Sequence, residues 1–454
     1  MTAGKPIMQA DSDAKHLMDL VSSLVEAAKK AGAEAADAVA VRGRSASVSV
    51  RLGKVEGTES SESDDIALRV FLGKRAASVS GNAASDPSAL AERAVAMARV
   101  SPEDPHQGLA DPARLVQTPK DLDLLDNTEL SADDLREAAL EMEEVALSVK
   151  GVTNSGGSSA SSGLGGLVLA TSDGFVGQYA GSRFSRGISV VAGEGTAMER
   201  DYEFSSRPHF ADLKSAAEIG REAAERTVRR LGARKARTGP VNVMFDPRVA
   251  RGFAGHIASA INGASVARKT SFLREMMGKQ VAGSAITVTD DPLKVRGQSS
   301  RPFDGEGVEG EPLTMIESGV LHHWLLSTSV AGELGLETNG RGVRSGTSVN
   351  PGSTNFAIEP GEASPEDLMK GLKEGFYVTE VFGQGVNMVT GDYSRGASGF
   401  WIEDGALTYP VSEVTIAGNL KDMFLHAIPA SDIDRNFGMA APTILIEGMT
   451  LAGA

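Results

Sequence analysis

The residues best suited to metal or acid–base chemistry are the histidines, and they are few. His256 lies in GFAGHIASAINGAS, a run of small and apolar residues. A zinc-binding helix needs two histidines about one turn apart on one face, together with a carboxylate. The positions about one turn from His256 are Gly252, Phe253, Ser259 and Ala260, none of which can bind zinc. The spacing therefore predicts that His256 is a packed side chain and not a metal ligand.

A pair of adjacent histidines, His322 and His323, lies in the segment GVLHHWLL. Successive side chains on a strand point to opposite faces, so we do not expect both imidazoles to bind one metal. The chain has no cysteine, which excludes thiolate nucleophiles and cysteine-type zinc sites. No G-x-S-x-G element marks a nucleophilic serine. A site built on His322 or His323, with acidic residues that folding brings close, stays open as an alternative.

Composition narrows the class of protein. The chain has 454 residues, which predicts two or three domains, and a formal net charge of −15. This charge argues against a general nucleic-acid binder and a polybasic membrane contact, because both need clustered Lys and Arg. No apolar run approaches the ~20 residues of a membrane helix, and the start, MTAGKPIMQADSDAK, becomes charged before any apolar core forms. We therefore expect a cytoplasmic protein with no direct contact to nucleic acid or membrane.

Apolar spacing and turn residues predict an α+β fold in two regions. Residues 1–237 combine helices with small antiparallel sheets, and a polar, proline-rich stretch near 101–125 is a candidate sub-boundary. After RKARTGPVNVMFDP, residues 238–454 indicate one helix, PRVARGFAGHIASAIN, and then a β-rich, mainly antiparallel domain. The run GVTNSGGSSASSGLGG is typical of a flexible loop, and DGEGVEGE is typical of a solvated acidic loop.

The segment 383–419 alternates β-prone residues with glycine and carries few long charged side chains. It contains Asp392, Tyr393, Ser394 and Arg395, which we expect to form a tight turn. Glycine near such a turn allows a second backbone to approach closely, as when an extended peptide adds to a sheet edge. Ordinary turn chemistry in a β domain explains the pattern equally well. These four residues are candidates for an interface or for the lining of a peptide chamber.

Four segments of the C-terminal region resemble one known family. GVNMVTGDYSRGASGFWIEDG, YPVSEVTIAGN, STNFAIEPGEASPEDL and PTILIEGMTLAG are similar to the TldD/PmbA family, and the likeness runs nearly from end to end. The family comprises two paralogous subunits that assemble into a zinc metallopeptidase for unstructured peptides. The catalytic paralogue carries the motif H-E-x-x-x-H on a helix early in its C-terminal domain.

Matching that helix to this chain places Gly255 and Ala260 where the histidines belong and His256 where the glutamate belongs. The resemblance therefore implies the PmbA/TldE type, a non-catalytic subunit without a metal or cofactor of its own. It implies a TldD-like catalytic partner that holds the zinc, unstructured peptides as substrates, and a homodimer when the chain is isolated. A self-sufficient peptidase and a non-proteolytic binding protein that modulates DNA gyrase are the alternatives.

Overall fold

The computed structural model describes residues 11–453. Its first part is a six-stranded sheet covered by helices, and its second part contains further sheets around one large apolar core. This combination of helices and sheets confirms the α+β prediction. Within the described range, no helix is long and apolar enough to cross a membrane. The charged start MTAGKPIMQADSDAK, on which the expectation of a cytoplasmic protein partly depends, lies mostly outside this range.

The first sheet is antiparallel throughout, with the strand order β3-β2-β1-β4-β5-β6. Its strands are β1 (Ala35–Arg51), β2 (Lys54–Leu72), β3 (Arg75–Asn82), β4 (Val152–Thr171), β5 (Val176–Ala192) and β6 (Glu199–Arg207). Its helices are α1 (Asp11–Lys30), α2 (Pro87–Val100), α3 (Ala132–Ser148) and α4 (Ala216–Arg229).

Both helix pairs cover the same face of this sheet. Ala40 on β1 packs in the cluster of α1 and α2, and Val48 on β1 packs in the cluster of α3 and α4. Residues an even number of positions apart on a strand share a face. The start of α3 is fixed by a capping box, in which Ser131 and Asp134 bond each other's backbone N–H groups. The other face of the sheet is therefore left for the second part of the chain.

The glycine- and serine-rich run is not a flexible loop, so that prediction is wrong. It forms most of β4, which pairs with β1 on one side and with β5 on the other. Hydrogen-bonded neighbours on both sides hold the backbone extended, and small side chains allow α3 to lie close. Ser158, for example, donates a hydrogen bond of 2.7 Å to the carbonyl of Ala139 on α3. Composition alone does not report such non-local partners.

The second part contains a sheet of order β10-β9-β8-β13-β18, the hairpin β11-β12, and a sheet of order β16-β15-β14-β7-β19-β17. Because β16 also pairs with β19, the strands β7, β14, β15, β16 and β19 close into a ring. Most pairings are antiparallel; β14–β7 and β13–β18 are parallel. The strands are β7 (Gly239–Phe245), β8 (Val288–Asp291), β9 (Leu313–Glu317), β10 (Val320–Leu321), β11 (Gly342–Ser345), β12 (Ser348–Pro351), β13 (Asn355–Ile358), β14 (Glu374–Phe382), β15 (Asp392–Glu403), β16 (Ala406–Asn419), β17 (Ala427–Pro429), β18 (Met439–Ala440) and β19 (Ile444–Ala452).

The helices of the second part are short apart from the first one. They are α5 (Pro247–Ala260), α6 (Gly263–Ala267), α7 (Thr328–Glu333), α8 (Pro365–Lys370) and α9 (Leu420–Leu425). Helix α5 is the helix that the sequence predicts after the strand now numbered β7. The division into 1–237 and 238–454, with a sub-boundary near 101–125, stays a prediction.

The acidic run DGEGVEGE is not a solvated loop, so that prediction is also wrong. Asp304 and Glu306 are only 2% and 5% exposed. The Asp304 carboxylate accepts hydrogen bonds from the backbone N–H groups of Glu306, Val308 and Gly342, at 2.8, 3.0 and 2.8 Å. Glu306 accepts one from the N–H of Thr328 at 2.8 Å. Burial and the neighbouring Glu306 carboxylate still raise the pKa of Asp304 to about 6.

The acidic loop belongs to a buried ion cluster that joins the two parts of the chain. The Asp37 carboxylate on β1 forms ion pairs with Arg69 on β2 and with Arg344 on β11. The two Nη atoms of Arg344 lie 3.1 and 3.0 Å from the Asp37 carboxylate oxygens. Arg69 also lies 3.7 Å from Glu306. Burial by itself would raise the pKa of Asp37, but Arg344 and Arg69 lower it to about 2. This cluster fixes the first sheet against the second part.

Candidate functional site

Helix α5 presents an unusually bare outer surface. Asp246 caps its start by accepting a hydrogen bond from the Arg248 N–H at 2.9 Å. Its inner face is buried in the large core and consists of Val249, Ala250, Phe253, Ala254, Ile257 and Ala258. On its outer face, Gly252 is exposed and Gly255 is half-buried. Outside the helix's own backbone, a Cβ atom built on either glycine would meet no atom of the described residues within 4 Å, so packing among these residues does not require glycine there.

His256 lies beside this bare surface and is packed among aromatic rings, as the spacing predicts. Its ring centroid lies 6.3 Å from that of Phe253 and 6.3 Å from that of Tyr393. Burial, and after it the positive charge of Arg395, lowers the pKa of His256 below its ordinary value of 6.5. At neutral pH the imidazole is therefore uncharged. Burial raises the pKa of Tyr393 to about 12, so its hydroxyl stays protonated.

The four candidates Asp392–Arg395 do not form a tight turn; they open strand β15, which pairs with β14 and β16. Because side chains alternate along a strand, Tyr393 and Arg395 share the face towards α5. Asp392 and Ser394 point to the other side. There the Asp392 carboxylate accepts hydrogen bonds from Thr390 at 2.6 Å and Asn419 at 3.1 Å. A role for these residues in an interface or chamber stays a prediction.

A second backbone does approach β15 closely, and it is the chain's own. Beyond the end of β14, Val386 forms an antiparallel bridge with Tyr393, and the Ser394 N–H donates to the Gly385 carbonyl at 2.6 Å. A Cβ atom at Gly385 would lie 1.6 Å from the Ser394 carbonyl oxygen, so only glycine fits there. The strand position beside Tyr393 is thereby occupied, and a peptide would have to bind elsewhere.

The histidine pair follows the short strand β10 and does not lie within a strand. The backbone N–H groups of His322 and His323 both point to the Met315 carbonyl, at 2.9 and 3.4 Å. The one acidic side chain within 4.0 Å of either ring, among residues 11–453, is Glu317, at 3.8 Å from His322. In the same range no three His, Asp or Glu side chains gather closely enough to hold a metal ion.

A groove of about 430 Å³ lies between the helix-free face of the first sheet and Gly297, Gln298 and Ser300 of the second part. Its floor includes Gly43, Gly165 and Gly181, which are paired across three neighbouring strands, and Ser45 beside Gly163. Sequence reasoning missed this surface because it assigned the glycine-rich run to a loop. Once β4 is recognised as a strand, its repeated glycine and serine residues indicate this groove.

Solved structures with the same fold come from distant organisms. A Bacteroides thetaiotaomicron protein described as a proposed modulator of DNA gyrase is 28% identical, with a TM-score of 0.89 over 98% of this chain and 100% of that one. TldE from Thermococcus kodakarensis is 22% identical, with a TM-score of 0.84 over 96% of this chain and 100% of that one, which shows the fold alone. The chain thus has the α+β fold that these solved structures share.

Sequence comparison identifies the family. Family models match residues 36–98, 125–231 and 238–453, and they are described as domain 1, the central domain and the C-terminal domain of PmbA/TldA metallopeptidases. Metalloprotease PmbA of Escherichia coli O157:H7 is 38% identical over 99% of both chains. A PmbA homologue of Haemophilus influenzae is 35% identical over 97% of this chain and 96% of its own. The chain belongs to the PmbA/TldD metallopeptidase family.

The metal that this family name implies does not fit the residues of α5. Gly255 and Ala260, at the positions of the two histidines, have no side-chain atom that can bind a metal, and Ala260 is 0% exposed in the core. His256 offers one nitrogen donor, and the one charged group that affects its pKa is the cation Arg395. A divalent cation needs several donors and gains from anionic ones. This surface has neither.

Proposed function

We propose that this chain is the non-catalytic, PmbA/TldE-type subunit of a heteromeric zinc metallopeptidase that acts on unstructured peptides. The observation that carries the proposal is the lack of metal ligands on α5. Gly255 and Ala260 occupy the positions of the two histidines, and the charged group that acts on His256 is the cation Arg395. The TldD-like partner would hold the zinc, which supplies an activated water for peptide hydrolysis.

The part of this chain would be to bind and orient the peptide. Glycine costs helix stability relative to alanine, and no neighbouring atom of the described residues requires Gly252 or Gly255 to be glycine. A surface without side chains lets an extended backbone come close to the helix. The serine- and glycine-lined groove on the first sheet offers a second polar surface for a chain with little structure of its own.

The test is reconstitution with the catalytic paralogue of the same organism. We expect neither the isolated chain nor the isolated paralogue to cleave an unfolded peptide at the rate of the mixture. A chelator should abolish cleavage by the mixture. The matched control is a paralogue whose motif glutamate is replaced by glutamine, which should assemble equally well but leave the peptide uncut. Full cleavage by the paralogue alone, or no association between the two chains, would contradict the proposal.

A further inference from the structure

The charge balance beside α5 is one-sided. Arg395 on β15 donates one hydrogen bond, from Nε to the Phe382 carbonyl at 3.3 Å. Its guanidinium forms no ion pair with any carboxylate of residues 11–453 within 4.0 Å. The nearest acidic residue in sequence, Asp392, points to the opposite side of the strand and is bonded to Thr390 and Asn419. In a chain of net charge −15, this cation therefore has no counter-ion among the residues that the structure describes.

The groups around Arg395 leave room for a ligand. Two neighbouring positions on the outer face of α5, Gly252 and Gly255, are bare, and a Cβ atom built on either meets no atom of the described neighbouring residues within 4 Å. His256 lies next to them as a neutral imidazole, which has one N–H donor and one acceptor nitrogen. A cation and a hydrogen-bond donor thus lie beside one bare helix surface.

We propose that this surface binds a carboxylate of an extended peptide, with the guanidinium of Arg395 as the anchor and His256 as a hydrogen-bond donor. Arginine suits this role because its planar fork matches the two oxygens of a carboxylate, and such charge-assisted hydrogen bonds are among the strongest. The carboxylate belongs either to the C-terminus of the peptide or to an Asp or Glu side chain. The inference rests on the proposed function, since it names what the non-catalytic subunit would recognise in the substrate.

The experiment measures peptide binding to the isolated full-length protein by fluorescence anisotropy. Three N-terminally labelled, unstructured peptides share one sequence without acidic residues: one ends in a free carboxylate, one is amidated, and one is amidated with a single central Glu. We expect the wild type to bind at least one carboxylate peptide about tenfold more tightly than the neutral one, as for one charge-assisted pair. The peptide that binds more tightly identifies the source of the carboxylate.

Variants test whether Arg395 is the anchor. Arg395→Met keeps most of the side-chain volume and should abolish discrimination between charged and neutral peptides, whereas Arg395→Lys should retain part of it. Arg221→Met, at an exposed position on α4, is the matched control and should behave as wild type. In NMR titrations, a bound carboxylate should raise the pKa of His256, because an anion favours the imidazolium.

Equal affinity of the wild type for all three peptides, no binding of any of them, or discrimination that persists in Arg395→Met would overturn the inference. These outcomes are separate from failure of the proposed function, because the catalytic paralogue is absent from the assay. Failure of the proposed function would appear as the lack of association or of joint cleavage in the reconstitution.

Discussion

Replacing the outer glycines of α5 by alanine should stabilise the helix. An interior glycine is less favourable than alanine by about 1 kcal/mol. Gly252 and Gly255 both lie inside Pro247–Ala260, and the added methyl group meets no atom within 4 Å at either position. No steric cost therefore offsets the gain, and the double variant should gain about 2 kcal/mol if the two effects add.

Hydrogen exchange measures this gain locally, since unfolding of a chain of this size need not be two-state. Each single substitution should slow exchange of the α5 amides about fivefold, which corresponds to about 1 kcal/mol. Gly220→Ala in α4 is the matched control, because its methyl group would lie 2.3 Å from the Met142 carbonyl oxygen. That overpacking should destabilise the contact of α4 with α3 by about 1–3 kcal/mol.

The same substitutions separate stability from function. If the bare surface exists for close approach of a peptide, Gly252→Ala with Gly255→Ala should stabilise this chain and lower the rate of joint peptide cleavage. Unchanged or faster exchange in α5 would refute the packing argument. Slower exchange in α5 with an unchanged rate of cleavage would support the packing argument. It would also show that the peptide does not bind close to Gly252 and Gly255.

Four further predictions concern other parts of the molecule. Arg344→Met should destabilise the protein by about 3–5 kcal/mol by leaving a buried charge with one partner fewer, and thermal unfolding would measure the loss. Because the pKa of Asp37 is lowered from 3.8 to about 2, its stabilising contribution is present above about pH 4 and is lost as the pH falls towards 2; an Asp37→Asn variant should lack this dependence. In sedimentation, the isolated chain should form a self-paired dimer, since closed twofold pairing is the commonest assembly; a clean monomer would contradict this. His323→Ala should leave joint peptide cleavage unchanged, and a large loss would favour the alternative site.

The sequence predicts those helices whose position depends on residues close together in the chain. Helix α5 has an apolar face at helical spacing, and Asp246 followed by Pro247 marks its start. The capping box of Ser131 and Asp134 likewise depends on residues three positions apart. The sequence predicts a packed side chain at His256, because the absence of a second histidine one turn away can be read directly, and its ring lies 6.3 Å from those of Phe253 and Tyr393.

Features that depend on distant partners could not be read in this way. The glycine-rich β4 is extended because β1 and β5 bond it on both sides, and Asp304 is buried because backbone donors from other segments surround it. A weak signal did exist: Asp37 in AADAVAV and Arg69 in IALRVFL are charged residues inside otherwise apolar strands. Buried charges are normally paired, so the two residues could have been matched as partners.

The most direct test of the central claim is the metal content of the isolated chain, measured together with its peptidase activity. A protein whose fold does not depend on zinc should not lose stability to a chelator. We predict no stoichiometric zinc after purification, the same melting temperature with and without EDTA, and no cleavage of an unfolded peptide. One tightly held zinc per isolated chain, accompanied by chelator-sensitive cleavage without any partner, would contradict the non-catalytic assignment and would make His256, His322 and His323 candidate ligands again.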